Sequence, residues 1–152
     1  MAKLILLDAN LLIYAYEPAS RQHEAARIWL EDVLNGPGKV GFPWPTLLGF
    51  ARLVGNSHVV RKPVPLHRAW ELVQVWLAQP QSWIPIPTDR HREILAGLLE
   101  GESRPDLAND AHLAALAIEH GLTVCSTDGD FARFQGVRWE NPLRASTSSR
   151  TS

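Results

Sequence analysis

The side chains best suited to do chemistry in this sequence are carboxylates, and three clusters of them stand out. Asp8 closes the apolar run Leu4–Leu7. Asp110 opens the Ala- and Leu-rich stretch Asn109–His120, with Asp106 four residues before it. Asp128 and Asp130 follow directly on the run Leu122–Ser126. Each acid has an ordinary role when taken alone. Asp8 suits a helix cap, Asp106 and Asp110 suit a helix dipole, and Asp128-Gly129 is a turn dipeptide. Taken together they imply something else. Carboxylates brought within a few ångströms of one another cannot all ionise unless a proton, a basic group or a divalent cation compensates. Magnesium and manganese prefer oxygen ligands and keep waters that can be activated.

Other reaction chemistry is poorly represented. There is no Gly-rich phosphate loop and no Gly-x-Ser-x-Gly elbow. The six histidines show no metal-ligand spacing. His112 follows Asp110 by two residues and so points to another side of a helix. His120 sits at a helix C-terminus, where pairing with the dipole is its plain role. Cys125 lies in an apolar run, as a core thiol does.

These residues need elements to hold them. Leu4–Leu7 is continuous rather than alternating, the pattern of a strand buried on both faces in a parallel sheet. An acid at the carboxyl end of such a strand lies where open α/β sheets keep their ligands. Helical spacing then marks Asn10–Tyr16, a segment through Ala26, Leu30 and Leu34 capped by Ser20, and Thr46–Val54. It continues over Leu66–Leu77, a segment through Ile94 and Leu99 capped by Thr88, and Asn109–His120. Strands are expected at Lys39–Phe42, at Trp83–Ile86 on an edge because of Pro85, at Leu122–Ser126 and at Val137–Trp139. Phe131–Phe134 reads as a short helix and Gly101–Leu107 as a polar loop. Alternation of strand and helix predicts an α/β sandwich around a largely parallel sheet.

The chain has 152 residues, 45% of them hydrophobic, and a formal net charge of −1. That is one domain with room for a real core. No run is apolar over the roughly 18 residues of a membrane span, and no signal peptide is evident. A single cysteine excludes an internal disulfide and suits a reducing cytoplasm. The near-neutral charge gives no global basic field.

Asp8-Ala9-Asn10 after an apolar strand, then Asp110-Ala111-His112-Leu113-Ala114-Ala115-Leu116-Ala117, then Ser126-Thr127-Asp128-Gly129-Asp130-Phe131 resembles the PIN domain. More narrowly, the ordered set is similar to the VapC-type ribonuclease toxins of prokaryotic toxin–antitoxin pairs. The resemblance covers residues 1–143 as a nuclease domain and leaves a Ser/Thr-rich tail, 144–152, expected to be flexible. It implies a three-layer sandwich with a parallel sheet between helices. It also implies acids that bind magnesium or manganese and cleave RNA to 5′-phosphate and 3′-hydroxyl ends. On this sequence the catalytic and metal-binding acids become Asp8, Asp110 and Asp128, with Asp130 beside the last. Asn10 and Thr127 become polar supports.

One position departs from the family pattern. The glutamate expected in the helix after the second strand is replaced by Gly49, and no Asp or Glu occurs between Gly36 and Trp70. Weaker metal binding is expected, with Asp106 or Arg52 as candidates for partial compensation. Arg52, Arg61, Lys62 and Arg133 are candidates to meet RNA phosphates. Trp44 and Phe42 could stack on bases or lie in the core. The resemblance further implies a VapB-like antitoxin that occupies the groove, and a homodimer. Helices bearing Trp29, Trp70 and Trp76 supply apolar surface for that homodimer.

Two alternatives stay open. A PIN-fold module could bind RNA or antitoxin without cutting, since one acid is absent. A haloacid-dehalogenase-like phosphatase would need an acid two residues after Asp8, where Asn10 stands, and a lysine before the last acid pair.

Overall fold

The computed structural model describes residues 2–144; all but the first residue of the expected tail therefore lies outside the described residues. Five strands pair entirely in parallel: β1 Leu4–Leu7, β2 Lys39–Gly41, β3 Ser82–Trp83, β4 Thr123–Cys125 and β5 Arg138–Glu140. Their spatial order is β3-β2-β1-β4-β5. β1 is central, with Ile5 opposite Val40 on one side and Thr123 on the other.

Both faces of β1 are covered, as its unbroken apolar pattern requires. Ile5 and Leu7 join one core with Leu11, Leu12, Leu30, Leu47, Phe50 and Val73. Leu6 points the other way, into a second core with Leu107, Ala114, Leu116, Val124 and Phe131. The first core is roofed by helices α1 Ala9–Tyr16, α2 His23–Asn35, α3 Trp44–Leu53 and α4 Leu66–Leu77. The second is roofed by α5 His91–Leu99 and α6 Ala108–His120. The result is the three-layer α/β sandwich expected from the alternation of elements.

Local chemistry explains where elements stop. Gly121 ends α6 with φ 69°, a left-handed conformation that suits glycine. β2 is a residue shorter than its pattern suggests. A Cβ on its Gly41 would come within 3.1 Å of the Pro85 ring, so glycine here permits the edge strand's approach. β3 is indeed an edge, but it is confined to Ser82–Trp83 because Pro85 has no N–H to extend the ladder. Neither expected hydroxyl cap is the capping residue itself. Ser20 Oγ accepts from Gln22 N, and Thr88 Oγ1 accepts from Arg90 N, each in the turn ahead of its helix. The polar loop before α6 contains a 3-10 turn, Pro105–Leu107.

α5 and α6 are joined by a polar chain at the edge of the second core. Glu119 accepts from Thr88 N and Oγ1, at 2.7 and 2.6 Å, and pairs with His91 Nδ1. His91 Nε2 meets His112 Nδ1 at 3.0 Å. Burial alone would push the Glu119 carboxyl up, but its hydrogen bonds with Thr88 and His91 hold it below the ordinary value. No described helix is long and apolar enough to cross a membrane.

Candidate metal centre

The strand order changes direction at β1 and β4, because β1 connects onward to β2 while β4 arrives on its other side. The carboxyl ends of these two strands form the crevice where open parallel sheets bind ligands. The ladder extends one residue past the strands, with Asp8 N–H donating to Cys125 C=O at 3.1 Å. Asp8 and Ser126 therefore stand side by side at the crevice.

Ser126 organises the polar groups around it. Its hydroxyl is fully buried and has one proton, which goes to Asp8 Oδ2 at 2.7 Å. Its lone pairs accept from Asn10 Nδ2 and from Asp128 N–H, both at 3.0 Å. Its hydrogen-bonding capacity is thus complete. Since the Ser126 proton is committed to Asp8, Asn10 must offer its amide nitrogen. That leaves Asn10 Oδ1 buried and without a partner among the described residues. Asp8 also caps α1, its Oδ1 accepting from Ala9 N at 2.8 Å. The ordinary role read from sequence is real and coexists with the clustering.

The other acids converge on the same crevice. Asp128 Oδ1 accepts from Asp130 N and so starts the 3-10 turn Gly129–Arg133. Carboxylate oxygens of Asp110, Asp128 and Asp130 all lie within 4.8 Å of one another. Burial pushes the Asp110 carboxyl up to about 7. Repulsion from Asp8 and Asp128, a hydrogen bond with Asp128 that favours the protonated form, and repulsion from Asp130 push the same way. Burial likewise raises Asp8, opposed by the bonds from Ser126 and Ala9 and reinforced by Asp128. Asp110 thus feels the charge of Asp8, Asp128 and Asp130, and Asp8 that of Asp128. This donor set, with an unpartnered buried oxygen on Asn10 beside it, fits a hard divalent cation and its water shell. Asp110, Asp128 and Asp130 are the side chains grouped closely enough to hold one; Asp8, expected with them, borders that group rather than belonging to it.

The other candidate residues stand at varying distances from this centre. Thr127 is half-buried and its hydroxyl makes no hydrogen bond among the described residues. Asp106 is exposed and faces Arg104, which holds its carboxyl below the ordinary range. Arg104 also reaches Asp130 at 3.4 Å, so a guanidinium borders the acid cluster. Arg133 instead pairs with Glu102 at 2.7 Å. Arg52, Arg61 and Lys62 are exposed, and their side chains form no ion pair with a described residue. Phe42 is fully buried and stacked on Trp76, whereas Trp44 is 45% exposed. Trp76 is buried too, and Trp29 and Trp70 pack partly into the first core rather than standing clear of it. Cys125 is a core thiol raised by burial and by Glu140.

Three contributors carry no distinguishing signal in the sequence. Ser126 and Thr127 are adjacent hydroxyls, and the motif points to Thr127; the register that pairs Leu7 with Cys125 is what puts Ser126, and not its neighbour, beside Asp8. Thr46 donates to Leu7 C=O at 2.6 Å and ties the start of α3 to the end of β1. Nothing local separates it from an ordinary first-turn threonine. Arg104 looks like loop surface until the fold brings it to Asp130. Gly49, on the same helix as Thr46, faces α1; a Cβ there would lie 3.7 Å from Ala9 Cβ, an ordinary contact.

Residues 5–137 match the family model for the PIN domain. The chain is 44% identical over 138 residues to ribonuclease VapC37 of Mycobacterium tuberculosis, covering 90% of this chain and 96% of that protein. It is 37% identical over 142 residues to ribonuclease VapC33 of the same organism, covering 93% and 99%. Among solved structures, VapBC-1 from nontypeable Haemophilus influenzae superposes with TM-score 0.65 at 15% identity, covering 91% of this chain and 97% of that one. VapC20 of Mycobacterium tuberculosis, described as a sarcin-ricin loop cleaving toxin, superposes with TM-score 0.62 at 20% identity, covering 88% and 98%. These matches set aside the phosphatase alternative. Acids at the ends of β1 and β4 and at the start of α6, an all-parallel sheet and relatives matched over nearly their whole length agree: the chain belongs to the PIN-domain family, in its VapC branch.

Proposed function

We infer that this chain is a magnesium- or manganese-dependent endoribonuclease toxin of the VapC type, acting in the cytoplasm and restrained by a VapB-like antitoxin. The observation that carries the reading is the grouping of Asp110, Asp128 and Asp130 carboxylates within 4.8 Å, with Asp8 outside that group but near enough for its charge to help burial raise Asp110.

Asp8, Asp110 and Asp128 would hold the ion, with Asp130, within 4.8 Å of the last two, as a further ligand. When bound, a divalent cation neutralises crowded charge, lowers the pKa of water and stabilises charge on phosphoryl oxygens. The chain's own groups prepare for that. Ser126 fixes the Asp8 carboxylate by holding one oxygen while Ala9 N–H holds the other. Asp110 must give up its proton before it can act as a ligand. Asn10 Oδ1, buried beside the acids, would be an acceptor for the attacking water. Arg104 offers positive charge beside Asp130, where the substrate backbone must approach an acidic centre. The expected products carry 5′-phosphate and 3′-hydroxyl ends. A homodimer and insertion of an antitoxin segment into the crevice complete the proposal. They are supported by membership of the VapC branch and by a solved relative that is itself a VapBC complex.

The test is RNA cleavage with magnesium or manganese, compared with chelator and with Asp8→Asn. Loss of cleavage in the last two is expected; equal cleavage in all three overturns the proposal. Gly49 favours one second reading, a module that binds RNA without cutting it. Retained RNA binding with no metal-stimulated cleavage would select that reading.

A further inference from the structure

The outward flank of α3 combines aromatic surface with unpaired positive charge. Trp44, Leu48 and Arg52 recur every four residues, so they share one side of the helix. Trp44 is 45% exposed and Leu48 56%. The Trp44 indole is held in place. It lies parallel to Trp70 of α4, with 6.2 Å between ring centroids and 8° between planes. A ring braced by another ring and still open to solvent is a rigid platform that loses little entropy when something stacks on it.

Charge on this part of the chain is one-sided. Between Gly36 and Trp70 the sequence has Lys39, Arg52, Arg61, Lys62 and Arg68 and no acid at all. Arg52, Arg61 and Lys62 are exposed, and their side chains form no ion pair with a described residue. Glu17, the acid beside the loop, is buried and already accepts Arg61 N–H at 2.6 Å. Arg68 has a loose contact with Glu71 at 3.8 Å.

The helix that carries this flank is anchored beside the acid crevice. Two residues after Trp44, Thr46 is bonded to Leu7 C=O, the carbonyl immediately before Asp8. Gly49 follows Leu48 and meets α1 at Ala9, the residue immediately after Asp8. With glycine there, α3 presents neither a side chain nor a negative charge to Ala9 at this position.

We propose that the Trp44–Leu48–Arg52 flank of α3 is the strand-binding surface for single-stranded RNA, with a base stacked on Trp44 and the backbone held by Arg52. This rests on the ribonuclease reading. Stacking on an aromatic ring needs an unpaired base, so a duplex is excluded from this surface. A second copy fits it poorly, because a two-fold contact would set one acid-free cationic face against another.

Full-length protein in EDTA, which prevents cleavage, is titrated with a short labelled single strand, an abasic strand of equal length and a duplex of the same sequence. Trp44→Ala is expected to weaken binding of the single strand about tenfold. Trp44→Phe should retain most of the affinity, and the abasic strand should bind wild type and Trp44→Ala alike. An unchanged dissociation constant for Trp44→Ala, or an equal loss on the abasic strand, overturns the proposal. So does a fall in sedimentation mass with monomer affinity for RNA unchanged, which would assign the flank to a protein contact. Intact stacking effects with no cleavage on adding manganese would overturn the nuclease reading and leave this surface standing.

Discussion

One hydroxyl proton orders the acid centre. Ser126 donates to Asp8 and accepts from Asn10 and Asp128, so Ser126→Ala removes three hydrogen bonds at once. The Asp128 N–H and the Asn10 amide would lose their partner in a part-buried place, at a cost of about 1 kcal/mol for each, the low end for a buried unsatisfied group. We expect a lower melting temperature and weaker manganese binding by calorimetry; unchanged values for both would show that Ser126 is not the organiser. Asp110 sets the pH response. Its folded pKa is raised to about 7 from 3.8, so the folded form keeps a proton that the unfolded chain releases. Stability of the metal-free protein should therefore fall as pH rises through that window, and metal affinity should climb through the same window. Asp110→Asn should flatten the melting-temperature profile between pH about 4 and about 7, and abolish metal binding. Gly49→Glu should tighten manganese binding, since a Cβ fits beside Ala9 without a clash. The acids themselves are legible from their place after apolar runs. Ser126 and Arg104 are not, because which of two adjacent hydroxyls faces Asp8, and which loop arginine meets Asp130, is decided by register and by distant packing.

Elements differ in how far local pattern determines them. β1 and α6 follow directly from an unbroken apolar run and from an Ala-rich stretch stopped by Gly121. β3 and β5 are short edges where proline or poor burial gives little signal, and the pairing partner decides their extent. The ends of helices differ by a residue or two from expectation where backbone turns, rather than the expected hydroxyls, start them. The join between α3 and β1 matters most for the site. Thr46 is buried and bonds Leu7 C=O across 39 residues of sequence. Thr46→Val keeps the shape and removes the donor, so a loss of about 1–2 kcal/mol in denaturant unfolding is expected. A loss confined to stability, with manganese binding unaltered, would show that α3 anchors the sheet without positioning Asp8.

At the scale of the whole molecule, the architecture is readable because each layer has its own periodicity, and the layers have only one way to cover both faces of β1. The assembly of the crevice has a further consequence. β1 is made well before its partner β4, which lies far along the chain; Ser126 meets Asp8 across 118 residues. Contacts that distant close late. Asp8 thus waits, without Ser126 or Asp128, until both have been made and β4 has docked on β1. Products terminated before Ser126 should therefore lack an ordered acid centre, and a chain truncated there should neither bind manganese nor cut RNA.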